Sequence, residues 1–263
     1  MIIDGGGTGS PAGKKIAVTG KGGSGKTMLT AVMTGLLARN GNLKLLAIDA
    51  DSAVNLPYAL GMKMKQTVAA IRRQIIEDPE AKARMENKSI PTVMEEALEA
   101  GSGFHLLAMG RPEGPGCYCA VNDLLRYGIE RLSKRFDITL IDCEAGPEQA
   151  SRRVVRGVDV LIIVTDASIR GAQAAGSIVE VIQRDELLRP AEAGLVINRL
   201  KTGDELIAER ARQWGLEILG RIPEDEAIAK FDSIGRPITD LPDDSPAVMA
   251  VGEILKRIIH WRV

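Results

Sequence analysis

The octapeptide GKGGSGKT, Gly20 to Thr27, constrains this chain more than any other stretch. It holds the pattern G-x-x-x-x-G-K-[ST]. A strand-like run, KIAVTG (Lys15 to Gly20), precedes it, and a run with helical spacing, TMLTAVMTGLLARNG, follows and ends at Gly41. A glycine-rich turn from strand to helix brings backbone N–H groups close to phosphate oxygens, and the helix N-terminus adds partial positive charge. Gly20, Gly22, Gly23 and Gly25 supply the tight turn. Lys26 is placed to reach the β- and γ-phosphates, and Thr27 to put its hydroxyl on Mg²⁺. Gly22, Gly23, Ser24, Gly25, Lys26, Thr27 and Met28 are the expected nucleotide-binding residues.

Such a loop needs a sheet behind it. Short apolar runs recur at LKLLAID (Leu43 to Asp49), FHLLAM (Phe104 to Met109), ITLID (Ile138 to Asp142), VLIIVTD (Val160 to Asp166), AGLVIN (Ala193 to Asn198) and LEILGRI (Leu216 to Ile222). They are nearly continuous rather than alternating, so both faces should be covered, as in a parallel sheet. Helical stretches lie between most of them: Ala120 to Lys134, Gln149 to Arg156, Arg170 to Asp185 and Gly203 to Gln213. A last one, Pro246 to Ile259, carries Met249, Ile254, Leu255, Ile258 and Ile259 at helical spacings. The expected fold is α/β, a doubly wound, mostly parallel sheet of about seven strands flanked by helices. Residues 14–263 form one domain behind a leader, 1–13. A charged helical insertion is expected at about 66–100, with breaks at Pro79 and Pro91.

Composition removes other classes. Lys and Arg number 34 against 35 Asp and Glu, and aromatics are 3%, which argues against a nucleic-acid groove and base stacking. Three cysteines are too few and too odd for a disulfide framework and fit a reducing compartment. The leader lacks the charged flank and apolar core of a signal peptide. No window nears the roughly 18 apolar residues that a membrane span requires. A cytoplasmic protein is expected, without nucleic-acid or membrane partners.

Lys21, directly after the first glycine, gives K-G-G-x-G-K-T. This resembles the deviant phosphate loop of the family that holds the partition and septum-site ATPases, the nitrogenase iron protein and several metallochaperones. The resemblance implies that Lys21 crosses a dimer interface to the partner's nucleotide, acting like an arginine finger, so that Lys21, Lys26 and Asp51 form the catalytic set of an ATPase. Ligands of open α/β sheets bind outside the carboxyl ends of strands, which places Asp49, Asp51 and Asp142 near the γ-phosphate. The resemblance assigns Asp51 to orienting the attacking water. It assigns Asp49 and Asp142, with Thr27, to the magnesium shell, and Ala145-Gly146-Pro147 to a γ-phosphate-sensing loop. Glu144 and Glu148 read either as switch carboxylates or, more simply, as solvated loop residues. Asn198 and Arg199, with Pro223 to Asp225, correspond to the family's adenine contacts and favour ATP.

Two further cysteine positions narrow the resemblance. The stretch MGRPEGPGCYCAVNDLLRYGIE, Met109 to Glu130, is similar to the nickel-insertion ATPases that mature carbon monoxide dehydrogenase and to the sister proteins serving acetyl-CoA synthase. Cys117 and Cys119 make a C-x-C pair. A closed tetrahedral thiolate site wants four ligands, so two are half a site, and a two-fold dimer would complete an isologous Cys₄ site. Soft thiolates suit Zn²⁺ and also Ni²⁺. The alternatives are two small buried hydrophobes, or a dimer-bridging iron–sulfur cluster as in the nitrogenase iron protein. That family takes its second ligand just after the Walker B aspartate, where this chain has Ala145. A metal-free partition ATPase is the third reading. Cys143 is expected to be buried and inert, His105 to be a core or near-surface histidine. His260 and Trp261 are expected on a terminal helix packed on the sheet.

Overall fold

The computed structural model describes residues 13–39, 41–80, 90–111, 126, 129–146, 157–184 and 190–259. Strand β1 (Lys14–Gly20) leads through the glycine loop into α1 (Lys26–Ala38), and β2 (Leu45–Ala50) follows. Next come α2 (Leu56–Ala59), α3 (Val68–Glu77), α4 (Ile90–Glu96), β3 (Glu99–Ala100) and β4 (His105–Ala108). A 3₁₀ turn (Ser133–Arg135) precedes β5 (Ile138–Cys143), then β6 (Val160–Thr165) and α5 (Ile169–Arg184). The chain continues through β7 (Glu192–Leu200), α6 (Glu205–Trp214), β8 (Glu217–Pro223), α7 (Glu226–Ser233) and a 3₁₀ turn (Ile238–Asp240) to α8 (Pro246–Ile259).

The sheet has eight strands in the order β3-β4-β2-β5-β1-β6-β7-β8. All neighbouring pairs are parallel except β3 with β4. The seven expected strands are therefore one short. The addition, two residues long and lying inside the expected helical insertion, is too brief to carry a period.

All six residues of β2, β5 and β6 are buried. Along β1, Ile16 and Val18 join one apolar layer, with Leu29, Met33 and Ile254, while Ala17 joins the opposite layer, with Leu107, Ile141 and Ile178. Each fully buried Leu or Ile contributes about 1.5–3 kcal/mol over exposure, so both layers are needed to hold the central strands. The described parts of the segment at 66–100 pack on the sheet. Val68, Ala69, Ile71, Met94 and Ala97 belong to the second layer. Its helix α3 is capped by Thr67, whose hydroxyl accepts from Ala70 N at 3.2 Å, and it stops before Pro79. Pro91 lies in the first turn of α4, where its missing N–H costs nothing.

Helix α8 has the expected limits, and four of its five expected apolar residues, Ile254, Leu255, Ile258 and Ile259, are buried. Ala247, Val248, Val251, Ile254, Leu255, Ile258 and Ile259 are buried, whereas Met249 is 57% exposed. Stepping back in threes and fours from Ile258 reaches Ile254, Val251 and Val248, and Met249 falls off that stripe. Helix α7 has no predecessor among the helical stretches read from the sequence. Of the expected helices, 149–156 lies outside the described residues, as does most of 120–134. Within the latter, the described residues 126 and 129–132 are helical, and Ser133–Arg135 is the 3₁₀ turn that ends the run.

Candidate functional site

Parallel pairing collects the carboxyl ends of β1, β2, β5, β6 and β7 along one edge of the sheet. The register sets Asp49 directly beside Asp142, Val18 on the other side of Asp142, and Gly20 beside Val164. The glycine loop is built for close approach. Gly20 has φ 150°, and a Cβ there would lie 2.2 Å from Val164 O. Gly25, the residue before α1, has φ 96°. The loop closes on itself through Ser24 N donating to Lys21 O at 3.1 Å. Lys26 is buried, and its ammonium donates to Lys21 O at 3.2 Å, which folds it over the loop.

Two aspartates form an acidic floor. Asp49 is 0% and Asp142 1% exposed. Asp49 accepts from Asp51 N at 3.0 Å and Leu56 N at 2.9 Å, which ties β2 to the following loop. Burial first, and then the charge of Asp142, push the Asp49 carboxyl up to about 7. Burial likewise pushes Asp142 up to about 7, against the Thr27 hydroxyl and the Lys26 charge, which pull it down. Thr27 Oγ1 donates to Asp142 Oδ2 at 2.7 Å, while Asp142 Oδ1 is buried without a hydrogen-bond partner.

An orphaned carboxylate oxygen beside a hydroxyl and a second buried carboxylate suits a hard divalent cation with oxygen ligands. Thr27, Asp49 and Asp142 thus fit Mg²⁺, which when bound would neutralise charge on the phosphate oxygens. The Asp51 carboxylate turns back onto Ala53 N at 2.8 Å, inside the loop that ends at Asn55.

The loop after β5 touches the phosphate loop. Gly146 N donates to Gly20 O at 3.4 Å, and Ala145 lies close to Gly22. Glu144 is half-buried rather than solvated. Ser52 Oγ donates to its carboxylate at 3.3 Å, and burial, followed by the charge of Asp51, raises its pKa. It joins the loops that follow β2 and β5. Pro147 and Glu148 lie outside the described residues.

Lys21 has a partner within its own chain. Its ammonium stands 3.1 Å from Asp166 Oδ2, just past the end of β6, with side chains 33% and 31% exposed. Burial raises the Asp166 carboxyl, but the Ser168 hydroxyl and Lys21 outweigh that and hold it low. Asp166 was not among the expected site residues. The rule that singled out Asp49 and Asp142, an acid at a strand's carboxyl end, also selects it.

At the other side of the site, Asn198 is 2% exposed in β7, which runs on to Leu200 rather than ending at the asparagine. Its Nδ2 donates to Ser24 O at 2.8 Å, and its Oδ1 accepts from Arg199 N at 2.9 Å. Arg199 has φ 55°. Pro223 ends β8 beside Leu200. Asp225 caps α7, accepting from Ala227 N at 2.9 Å and Ser245 Oγ at 2.5 Å and from Ala247 N at 3.3 Å. Those bonds outweigh burial and hold its pKa low, so both its oxygens are committed to the chain's own groups.

Cys117 and Cys119 lie outside the described residues, as do His260 and Trp261. Among the described residues, no group of three or more His, Cys, Asp or Glu side chains is arranged to hold a metal ion. No helix among them is long and apolar enough to cross a membrane. Cys143 is buried, and burial pushes its thiol far above the usual range, as expected for an inert cysteine. His105 opens β4, exposed, with its ring edge-on to Phe136 at 5.4 Å.

A family model described as the CobQ/CobB/MinD/ParA nucleotide binding domain matches residues 15–238. The chain is 38% identical over 250 residues to an ATP-binding protein of Methanocaldococcus jannaschii, covering 93% of this chain and 98% of that one. It is 31% identical over 272 residues to the carbon monoxide dehydrogenase accessory protein CooC of Rhodospirillum rubrum, covering 93% and 97%. In fold it resembles the septum site-determining protein MinD of Pyrococcus horikoshii, complexed with Mg-ADP, with a TM-score of 0.69 at 22% identity over 93% of this chain and 95% of that one.

Proposed function

The chain belongs to the CobQ/CobB/MinD/ParA nucleotide-binding family and is an ATPase, and from that premise we propose that it is an ATP-dependent metallochaperone. Two copies close on ATP and share one nickel or zinc ion, as cargo, between Cys117 and Cys119 of each. Hydrolysis then opens the site and releases nickel to apo-carbon monoxide dehydrogenase or to acetyl-CoA synthase, in the cytoplasm.

The observation that carries this reading is the C-x-C pair in a chain with only one other cysteine. Two thiolates are an incomplete tetrahedral set, and a two-fold axis completes it. The similarity to the accessory protein CooC supports the choice of client. Lys21 supports the dimer, because a lysine next to the loop's first glycine can serve a partner's phosphates once it leaves Asp166. A cluster of the iron–sulfur type is disfavoured, since Ala145 stands where its second cysteine would be needed.

The test is metal titration of the Cys117→Ser, Cys119→Ser double variant. It should lose nickel and zinc binding while keeping ATP binding. Unchanged metal stoichiometry would sink the proposal. The family also includes positioning ATPases such as MinD, and a MinC:MinD complex of Aquifex aeolicus shares this fold. If the variant hydrolyses ATP and binds a protein or membrane track as well as wild type does, that role replaces metal delivery.

A further inference from the structure

We infer that Glu144 is a positioning residue for hydrolysis: through Ser52 it holds the turn that carries Asp51, and so ties that turn to the phosphate loop. The inference rests on Asp51 orienting the attacking water, and on nothing about the ATPase's cargo or client.

The sheet brings the parts together. β2 and β5 run parallel in a register that pairs Asp49 with Asp142 and Ala50 with Cys143, so Asp51 and Glu144 are the next residues along the two chains. Asp51 opens a tight turn. Its N–H donates to Asp49 Oδ1 at 3.0 Å, its own Oδ1 accepts from Ala53 N at 2.8 Å, and its carbonyl accepts from Val54 N at 3.2 Å. Fixing Oδ1 fixes the plane of the carboxylate, and with it the place of Oδ2, the oxygen left to hold a water.

That turn is strained. Val54 has φ 54°, a left-handed conformation that a β-branched residue rarely adopts. Such a backbone persists only where its surroundings hold it. On one side the hold is Asp49, which accepts from Asp51 N and Leu56 N. On the other it is Glu144, whose Oε1 accepts from Ser52 Oγ at 3.3 Å. Glu144 also stands next to the nucleotide's own loop. Two residues on, Gly146 N donates to Gly20 O at 3.4 Å, and a Cβ on Gly22 would lie 3.8 Å from that of Ala145. A shift of the phosphate loop therefore reaches Asp51 through Glu144 and Ser52. Cutting that link should leave ATP binding alone and slow the step in which water attacks.

Single-turnover hydrolysis and calorimetric ATP binding by the full chain read the two effects separately. Glu144→Ala and Ser52→Ala should each slow hydrolysis by about tenfold, the scale of losing one hydrogen bond to a charged group, with ATP affinity unchanged. The double variant should be no slower than either single one, because the two residues act through one bond. Glu144→Gln keeps the acceptor and should restore most of the rate. Additive losses, or a wild-type rate in either alanine variant, would overturn the inference. A Glu144→Gln as slow as Glu144→Ala would overturn it too, since the charge and not the bond would then matter. Equal losses of rate and ATP affinity would make the pair merely structural, with the same result. Asp51→Asn tests the premise by itself, and its hydrolysis should fall at least as far as that of Glu144→Ala. A wild-type rate there would remove the route through Asp51, while the Ser52 and Glu144 variants still report whether their bond acts on the rate. Should Glu144→Ala fail to fold, Ser52→Ala and Glu144→Gln carry the same test.

Discussion

The two halves of the site are prepared differently. On the β2–β5 side, Asp49 and Asp142 are almost wholly buried, sit side by side, and leave Asp142 Oδ1 without a partner. On the β6–β7 side, the charged and amide groups have partners within the chain: Lys21 with Asp166, Asn198 with Ser24 and Arg199. The first side stores unfavourable charge that a cation relieves. On the second, Lys21 is held by Asp166 and must give up that contact before it can act on another molecule. The proposed function assigns affinity for Mg²⁺-nucleotide to the first side and control of the step after binding to the second.

Substitutions can separate the halves. The largest effect is expected for Lys21→Ala. Losing a charge supplied to the transition state costs about 10³-fold or more in the dimer's turnover, by analogy with arginine fingers, while ATP binding to the monomer is kept. Single-turnover hydrolysis and equilibrium binding measure the two separately, and parallel losses in both would move Lys21 to the binding side.

Asp142→Asn comes next. It should weaken Mg²⁺-dependent ATP binding by about 10–100-fold, a typical cost of disturbing groups around a metal. The same change removes a buried charge, so above pH 7 the nucleotide-free protein should melt about 2–4 °C higher for each kcal/mol recovered. A lower melting temperature would contradict the stored-charge account.

The third prediction concerns pH. Both carboxyls are raised in the folded protein from 3.8 to about 7, so between those values the folded state binds more protons than the unfolded state. Their contribution to stability is therefore present at low pH and is lost as pH rises through about 7, the reverse of a salt-bridged aspartate. Denaturant unfolding of the nucleotide-free protein should show this loss, reduced in Asp142→Asn, while Mg²⁺-ATP affinity should rise over the same window. A wild-type loss undiminished in Asp142→Asn would place the titration elsewhere.

The smallest effect is expected for Asp166→Asn. The pair is about one-third exposed, and such pairs contribute at most about 1 kcal/mol. Freeing Lys21 should therefore raise ATP-dependent dimerisation by a few-fold at most, measured by sedimentation. Weaker dimerisation would mean that Asp166 holds Lys21 in its productive place instead of restraining it.

Much of this was legible in the sequence, and the failures have physical reasons. GKGGSGKT between strand and helix specified the loop, and acids at strand ends marked Asp49 and Asp142, because topology puts such residues at one edge. The same logic reached Asp166, but that residue lacked a motif to draw attention to it. Met249 was misplaced because several apolar residues shared helical spacings and only packing chose the stripe. Glu99–Ala100 was too short for a period to register. The resemblance marked Asn198 as a site residue but not its contact with the phosphate loop. Its bond to Ser24, 174 residues away in the chain, is a tertiary contact that no local pattern encodes. The C-x-C pair is the opposite case: its residue types point to thiolate chemistry, and only the proposed function completes the set with a second chain.

The most direct measurement of the shared-site account is sedimentation of the full chain with and without Mg²⁺-ATP and nickel, with metal quantified in each peak. The account predicts a dimer carrying one ion per two chains, abolished by Cys117→Ser with Cys119→Ser. A monomer that holds a whole ion by itself, or a dimer whose metal content ignores those two cysteines, would contradict it.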